Sequence, residues 1–280
     1  MSAPTSFDLP VMVASGCGGT GRELAAYAQE DGLAGIGGFV TRTLTMDPRA
    51  GGRVRVEESP AGLVRAHRLQ NPGLDRFLMT ELPWLAQQGV RTFVSIAGAT
   101  LAEYAEITRR LVRAPGVAGI ELNLAVDDPR RLGVFDATEP FQAARVVTAV
   151  RAELPVGVAL HVKLPAVPSR IATAARAVAE AGADALVVGG ALPAALDNGT
   201  PAELSGPAVR PVALRCLAEV RTALPGVPLI AVGGIATADD ARGFLSAGAV
   251  AVQVGTALLH DPTTVFRIAS ELATNPGDDL

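Results

Sequence analysis

Short apolar runs alternate with longer amphipathic stretches along most of the chain. The apolar runs fall at residues 9–14, 35–41, 91–97, 117–123, 156–163, 185–189, 228–232 and 249–254. They are bounded by Gly, Pro and polar residues and mostly lack period-two alternation, the pattern of strands buried on both faces. Between them, residues 22–29, 75–88, 100–113, 139–153, 169–181, 207–223, 237–247 and 262–273 predict helices. In 100–113, Glu103 sits in the first turn and Arg109, Arg110 and Arg113 near the end, an order that complements the helix dipole. Eight strands with intervening helices predict a single (β/α)₈ TIM barrel over residues 1–280. An open doubly wound sheet is the competing arrangement, and the strand count disfavours it. Residues 46–70 break the rhythm with a long, polar, Gly/Arg-rich segment, expected to be an active-site loop at the C-terminal end of the second strand.

Composition narrows the class. Hydrophobic residues are 49% of the chain, enough for one large core, and aromatics only 4%, so aliphatic side chains must fill it. A net charge of −4 with no basic stripe argues against a nucleic-acid partner. Cys17 and Cys216 lie far apart and give no disulfide framework, which suits a reducing compartment. Residues 1–10 lack the charged and apolar regions of a signal peptide, and no uninterrupted apolar run reaches the ~18 residues of a membrane helix. A soluble cytoplasmic domain, without membrane or metal site, is expected.

Two motifs near the C-terminus carry chemistry. Ile230-Ala231-Val232-Gly233-Gly234-Ile235 ends one predicted strand in paired glycines, before a helix starting at Thr237, Ala238 and Asp239. Val252-Gln253-Val254-Gly255-Thr256 ends the next strand in Gly-Thr. Glycine lets backbone N–H groups approach an anion closely, and a helix N-terminus adds positive partial charge. In this order and spacing the motifs predict the phosphate site that many barrels build after strands seven and eight. They identify a phosphate rather than a flavin, since phosphorylated-sugar isomerases and indole-biosynthesis barrels have similar ends.

Further segments resemble the dihydroorotate dehydrogenase family. They are Pro10-Val11-Met12-Val13-Ala14-Ser15-Gly16, Phe39-Val40-Thr41-Arg42-Thr43-Leu44-Thr45, Leu69-Gln70-Asn71-Pro72-Gly73, Val94-Ser95-Ile96-Ala97-Gly98, Ile120-Glu121-Leu122-Asn123, Val162-Lys163-Leu164 and Leu204-Ser205-Gly206-Pro207. With the two glycine motifs they run in order over nearly the whole chain, and are most similar to the soluble class 1 branch. The resemblance implies an FMN-dependent, pyrimidine-related flavoprotein oxidoreductase acting on CH–CH groups. It implies that Ala14, Ser15 and Gly16 touch the flavin ring, Thr43 lies near its reactive edge, Asn123 over the ring and Lys163 at its N1/O2 side. Ser205, Gly206, Gly233, Gly234, Gly255 and Thr256 are implied to hold the ribityl chain and phosphate. A homodimer and an electron-transfer partner subunit are also implied.

The chain departs from the family where substrate binds. The position of the family's catalytic base holds Val126, and valine cannot take a proton. The lysine after strand two is Arg42, and the stretch usually reading Asn-x-x-Gly-Leu is Arg65-Ala66-His67-Arg68-Leu69. The family's Asn-Thr or Asn-Ser after strand six becomes Gly190-Ala191. Arg42, Arg65 and Arg68, with Leu69 and Asn123, are candidate contacts to a small anionic substrate, because guanidinium pairs well with carboxylate or phosphate. The arginines could instead pair with Asp127, Asp128 or Glu57. Asp127, Asp128 and His67 are candidate replacement bases; His161, on the strand face of Lys163, is a further one unless it is a core residue. Cys17 reads as a small buried residue rather than a nucleophile. Three alternatives stay open: a dihydroorotate dehydrogenase with a displaced base, a non-redox phosphate-binding lyase or isomerase, and an inactive flavin-holding subunit.

Overall fold

The computed structural model describes residues 7–28, 30–52, 54–66, 69–125 and 139–274. Strands in chain order are β1 (Val11–Val13), β2 (Gly38–Val40), β3 (Arg55–Ser59), β4 (Gly62–Ala66), β5 (Thr92–Ile96), β6 (Val117–Asn123), β7 (Ala159–Lys163), β8 (Ala185–Gly189), β9 (Leu192–Ala195), β10 (Pro201–Ser205), β11 (Leu229–Val232) and β12 (Ala251–Val254). Helices are α1 (Arg22–Ala25), α2 (Leu74–Thr80), α3 (Leu82–Leu85), α4 (Leu101–Leu111), α5 (Pro140–Arg151), α6 (Pro168–Glu180), α7 (Arg210–Ala223), α8 (Ala238–Ser246), α9 (Ala257–His260) and α10 (Thr264–Thr274). The eight apolar runs supply a closed parallel barrel in the order β1-β12-β11-β8-β7-β6-β5-β2, so the expected (β/α)₈ architecture is the observed one.

Two apolar layers hold it together. Outward residues of the strands, such as Val11, Val94, Leu160 and Leu186, pack against the helices in one large buried cluster. Inward residues, including Met12, Val40, Phe93, Val187 and Ile230, fill the barrel interior. The alternation follows from the period of two along a strand. Near the lower end Phe7 packs on this inner layer, and the Arg91 guanidinium lies over the rings of Phe7 and Phe93 at 4.9 and 5.4 Å.

Two expectations need correction. Residues 46–70 are not a plain loop: β3 and β4 pair as an antiparallel hairpin, and β4 pairs with β10 to build a second sheet ordered β3-β4-β10-β9. The long-range β4–β10 pairing satisfies backbone groups that a loop would leave to solvent. The helix expected over 75–88 is split into α2 and α3, with Pro83 in the first turn of α3. Proline supplies no backbone N–H to a continuing ladder.

The motif around Asn71 is scaffold. The Asn71 Oδ1 accepts from the backbone N–H groups of Thr45 (3.2 Å) and Gly73 (3.0 Å), and its Nδ2 donates to the carbonyl of Leu69 (3.0 Å). This buried side chain ties the chain leaving β2 to the segment entering α2.

Candidate functional site

A cavity of about 820 Å³ opens at the C-terminal mouth of the barrel, bounded on one side by the β3-β4-β10-β9 sheet. All twelve positions expected to hold a flavin line it: Ala14, Ser15, Gly16, Thr43, Asn123, Lys163, Ser205, Gly206, Gly233, Gly234, Gly255 and Thr256. Of the expected substrate contacts, Arg42, Arg65 and Leu69 line it as well. Arg68, His67, Val126, Asp127 and Asp128 lie outside the described residues.

A hydroxyl network sets the cavity floor. Asn123 Nδ2 donates to Thr43 Oγ1 at 2.9 Å, and Asn123 Oδ1 accepts from the Ala125 N–H at 3.1 Å. Thr43 Oγ1 is also 2.9 Å from Ser95 Oγ and 3.2 Å from Ser15 Oγ, while Ser15 donates to the Thr41 carbonyl at 2.9 Å. Four strand ends are thereby linked, and the orientation of the Asn123 amide is fixed by its two partners. One Asn123 N–H remains beyond the Thr43 bond, since a carboxamide has two donors.

The glycine end is a close-fitting cradle. Gly234 has φ +76, and a Cβ there would lie 2.6 Å from Arg210 Cβ. A Cβ on Gly255 would lie 3.3 Å from Ala14 Cβ and 3.5 Å from Cys17 Sγ. At Gly234 a side chain would therefore collide with Arg210, and at Gly255 it would press on Ala14, so glycine keeps both turns in place at the cavity wall. The helix that follows Gly233-Gly234 begins as expected, with Thr237 as its cap. The N-terminus of α8 is internally capped: Thr237 Oγ1 accepts from the Asp240 N–H, and the Asp240 carboxylate accepts from the N–H groups of Ala236 and Thr237, each at 3.0 Å. Asp240 also pairs with Arg210. Those two amides are committed within the protein.

Electrostatics separate the candidate side chains. Burial pushes the Cys17 thiol up, against smaller lowering effects of Arg65 and Lys163, so it is a thiol rather than a thiolate nucleophile. His161 shares the inward face of β7 with Lys163, as expected, but lies below the cavity. It is fully buried, stacks on Phe93 at 4.5 Å, and neither ring nitrogen has a hydrogen-bond partner. Burial first, and then Arg91, push it down to about 3. It is a core histidine, not a base at the cavity.

Two residues lie outside the sequence expectations. Glu121 and Gln253 are fully buried in the barrel interior, and Gln253 Nε2 donates to Glu121 Oε2 at 2.6 Å. Glu121 Oε1 lies 4.0 Å from Lys163 Nζ. Their signal was present: each sits two residues before a cavity position, Asn123 or Gly255, and therefore on the same strand face.

Taken as a donor set, the residues fit FMN: a glycine cradle for a phosphate, hydroxyls and an amide at the floor, and one ammonium aimed into the mouth. The sequence model of the family "Dihydroorotate dehydrogenase" matches residues 3–275. The dihydroorotate dehydrogenase B (NAD(+)) catalytic subunit of Anoxybacillus flavithermus is 39% identical over 276 residues, covering 94% of this chain and 86% of the relative. That of Desulforudis audaxviator is 43% identical over 275 residues, covering 94% and 87%. A crystal structure of DHODH from Eimeria tenella, in complex with ferulenol, superposes with a TM-score of 0.77 at 20% identity, over 98% of this chain and 84% of that one, which supports the fold. The chain belongs to the dihydroorotate dehydrogenase family of FMN-dependent oxidoreductases acting on CH–CH groups.

Proposed function

We propose that this protein transfers a hydride between FMN and a C–C bond of a small anionic compound, in a pocket rebuilt away from dihydroorotate. The supporting observation is that one cavity holds every position of the flavin set while guanidinium groups, Arg42 and Arg65, stand where an ammonium and an amide are usual in the family. FMN, when bound, supplies the centre that accepts or gives the hydride. Lys163 lines the cavity and would present positive charge to the N1/O2 side of the ring, which would favour the reduced state. Asn123 and Thr43 fix the floor on which ring and substrate lie, and Ser15 orients the Thr43 hydroxyl. Gly233, Gly234, Gly255 and Thr256 would hold the phosphate, and Ser205 and Gly206 the ribityl chain. Arg42 and Arg65, with Arg68, bind the substrate anion by charge-assisted hydrogen bonds. With valine at 126, proton transfer falls to Asp127, Asp128 or His67.

The identity to curated catalytic subunits favours a second reading, oxidation of dihydroorotate itself with a displaced base. Those relatives are named as catalytic subunits, which supports a partner subunit that carries electrons away from this one; a homodimer of this chain and residues 1–280 as one FMN-binding unit complete the proposal. Among the described residues no helix is long and apolar enough to cross a membrane.

Anaerobic mixing of the FMN-loaded protein with dihydroorotate separates the two readings. The rebuilt pocket leaves the flavin absorption band intact while dithionite bleaches it, and a screen of small unsaturated and saturated carboxylates finds the compound that does react. Rapid bleaching by dihydroorotate establishes the second reading instead.

A further inference from the structure

Lys163 is the only lysine in the chain; the other basic residues among its 24 Lys and Arg are arginines. Its side chain is 13% exposed, and it lines the cavity from the end of β7. One layer below, Glu121 points inward from β6 and is fully buried. Gln253 comes from β12, which lies diametrically opposite β6 in the barrel order, and reaches across the axis to donate to Glu121 Oε2 at 2.6 Å. The reverse orientation of that amide would set its oxygen against the carboxylate, so the donor end is the one that faces Glu121. The other carboxylate oxygen, Oε1, has no hydrogen-bond partner.

The spacing decides what this arrangement does. A charge-assisted hydrogen bond between an ammonium and a carboxylate has an N···O distance of about 2.7–2.9 Å. Here Lys163 Nζ stops at 4.0 Å from Glu121 Oε1. At that distance Coulomb attraction in a poorly solvated interior is still strong. The amine is nonetheless not captured, and its N–H groups remain available to the cavity above. A carboxylate buried in a barrel is costly unless a cation or donors offset it. Gln253 supplies one hydrogen bond, and Lys163 is the cation in reach.

We propose that Glu121 is a positioning residue for Lys163: strapped in place by Gln253, its carboxylate draws the amine down toward the barrel interior and so limits how closely the ammonium approaches the bound flavin. The inference rests on the flavin reading of Lys163 given above. Its consequence is a flavin less easily reduced than Lys163 alone would make it, with the set point fixed inside the barrel, out of contact with substrate.

The test is the two-electron midpoint potential of bound FMN in wild type, E121Q, K163M and the double variant, each with FMN occupancy checked by absorbance. E121Q, which keeps shape and a hydrogen-bonding group, is expected to raise the potential by at least a tenfold change in the oxidised–reduced equilibrium, about 30 mV. K163M is expected to lower it, and the double variant to match K163M. A shift in K163M with none in E121Q overturns the positioning role and leaves the flavin reading standing. No shift in K163M removes the role of Lys163 beside the ring, and this inference with it, while FMN binding itself stands. A double variant displaced from K163M by the same tenfold shows that Glu121 does not act through Lys163. If E121Q does not fold, Glu121→Asp carries the test: withdrawing the carboxylate from the amine raises the potential by a smaller amount, and an unchanged potential overturns the proposal.

Discussion

Asn123 and Thr43, 80 residues apart, meet at 2.9 Å across the cavity floor, where the amide of one donates to the hydroxyl of the other. The Thr43 hydroxyl is the hub of that floor, with Ser95 and Ser15 as its further neighbours. Thr43→Val keeps the shape and removes the hub. The expected result is a loss of about 2 kcal/mol of stability, because a polar group left without its partner costs about 1–3 kcal/mol. Urea unfolding of the FMN-free protein reads this loss, and an FMN titration of the same variant is expected to show weaker binding as the Asn123 amide loses its anchor.

At the opposite end of the cavity, Gly234→Ala sets a methyl group against Arg210 at a backbone φ of +76. Steric conflict and left-handed strain act together, and a destabilisation of about 1–3 kcal/mol is expected. FMN affinity is expected to fall at least tenfold. Gly226→Ala, where an added Cβ meets nothing within 4 Å, is the control and is expected to change neither quantity. Equal FMN affinity in wild type and Gly234→Ala would remove this turn from the phosphate site.

His161 makes stability depend on pH. Its folded-state value, about 3, is far below the ordinary 6.5. As pH falls below 6.5 the unfolded chain takes up a proton that the folded chain refuses, so stability declines through the window from about 6.5 to about 3. The slope from this one residue is about 1.4 kcal/mol per pH unit. Urea unfolding at pH 5, 6 and 7 is expected to show a slope that steepens toward this value as pH falls in wild type, and to lose His161's contribution in His161→Phe, which keeps an aromatic ring against Phe93. An identical slope in both proteins assigns the effect to other groups.

Arg65 tests the anion clamp. Arg65→Asn replaces a guanidinium on the cavity wall by the amide usual in the family at that position. Loss of charge-assisted hydrogen bonds worth about 1.5–3 kcal/mol is expected to weaken binding of fumarate or maleate about 10- to 100-fold, read from perturbation of the flavin absorbance during titration. FMN affinity is expected to hold. Unchanged anion binding would place the clamp elsewhere.

What the sequence revealed follows from what its patterns encode. The barrel was legible because each strand is buried on both faces and so appears as an apolar run; β6 and β8 match the expected bounds to the residue. The β3–β4 hairpin was hidden because none of its residues is fully buried and charged residues interrupt its short apolar stretches. Its pairing with β10 joins Arg65 to Glu203, a contact no local pattern reports. The twelve positions expected to hold a flavin line one cavity, because the motifs that carry them fall at strand ends on one mouth of the barrel. Glu121 and Gln253 were not legible, since their meaning lies in facing each other across the barrel axis. The internal cap of α8 was readable in Thr237-Ala238-Asp239-Asp240, where Thr at the cap and Asp three residues on satisfy each other's backbone donors.

The most direct measurement is a crystal structure of the protein with FMN bound. It is predicted to show the phosphoryl group within hydrogen-bond reach of the backbone at Gly234 and Thr256, the Lys163 amine toward the ring, and Arg42 and Arg65 facing the open space beside it. A flavin seated elsewhere, or a protein that stays colourless and takes up no FMN, would contradict the account.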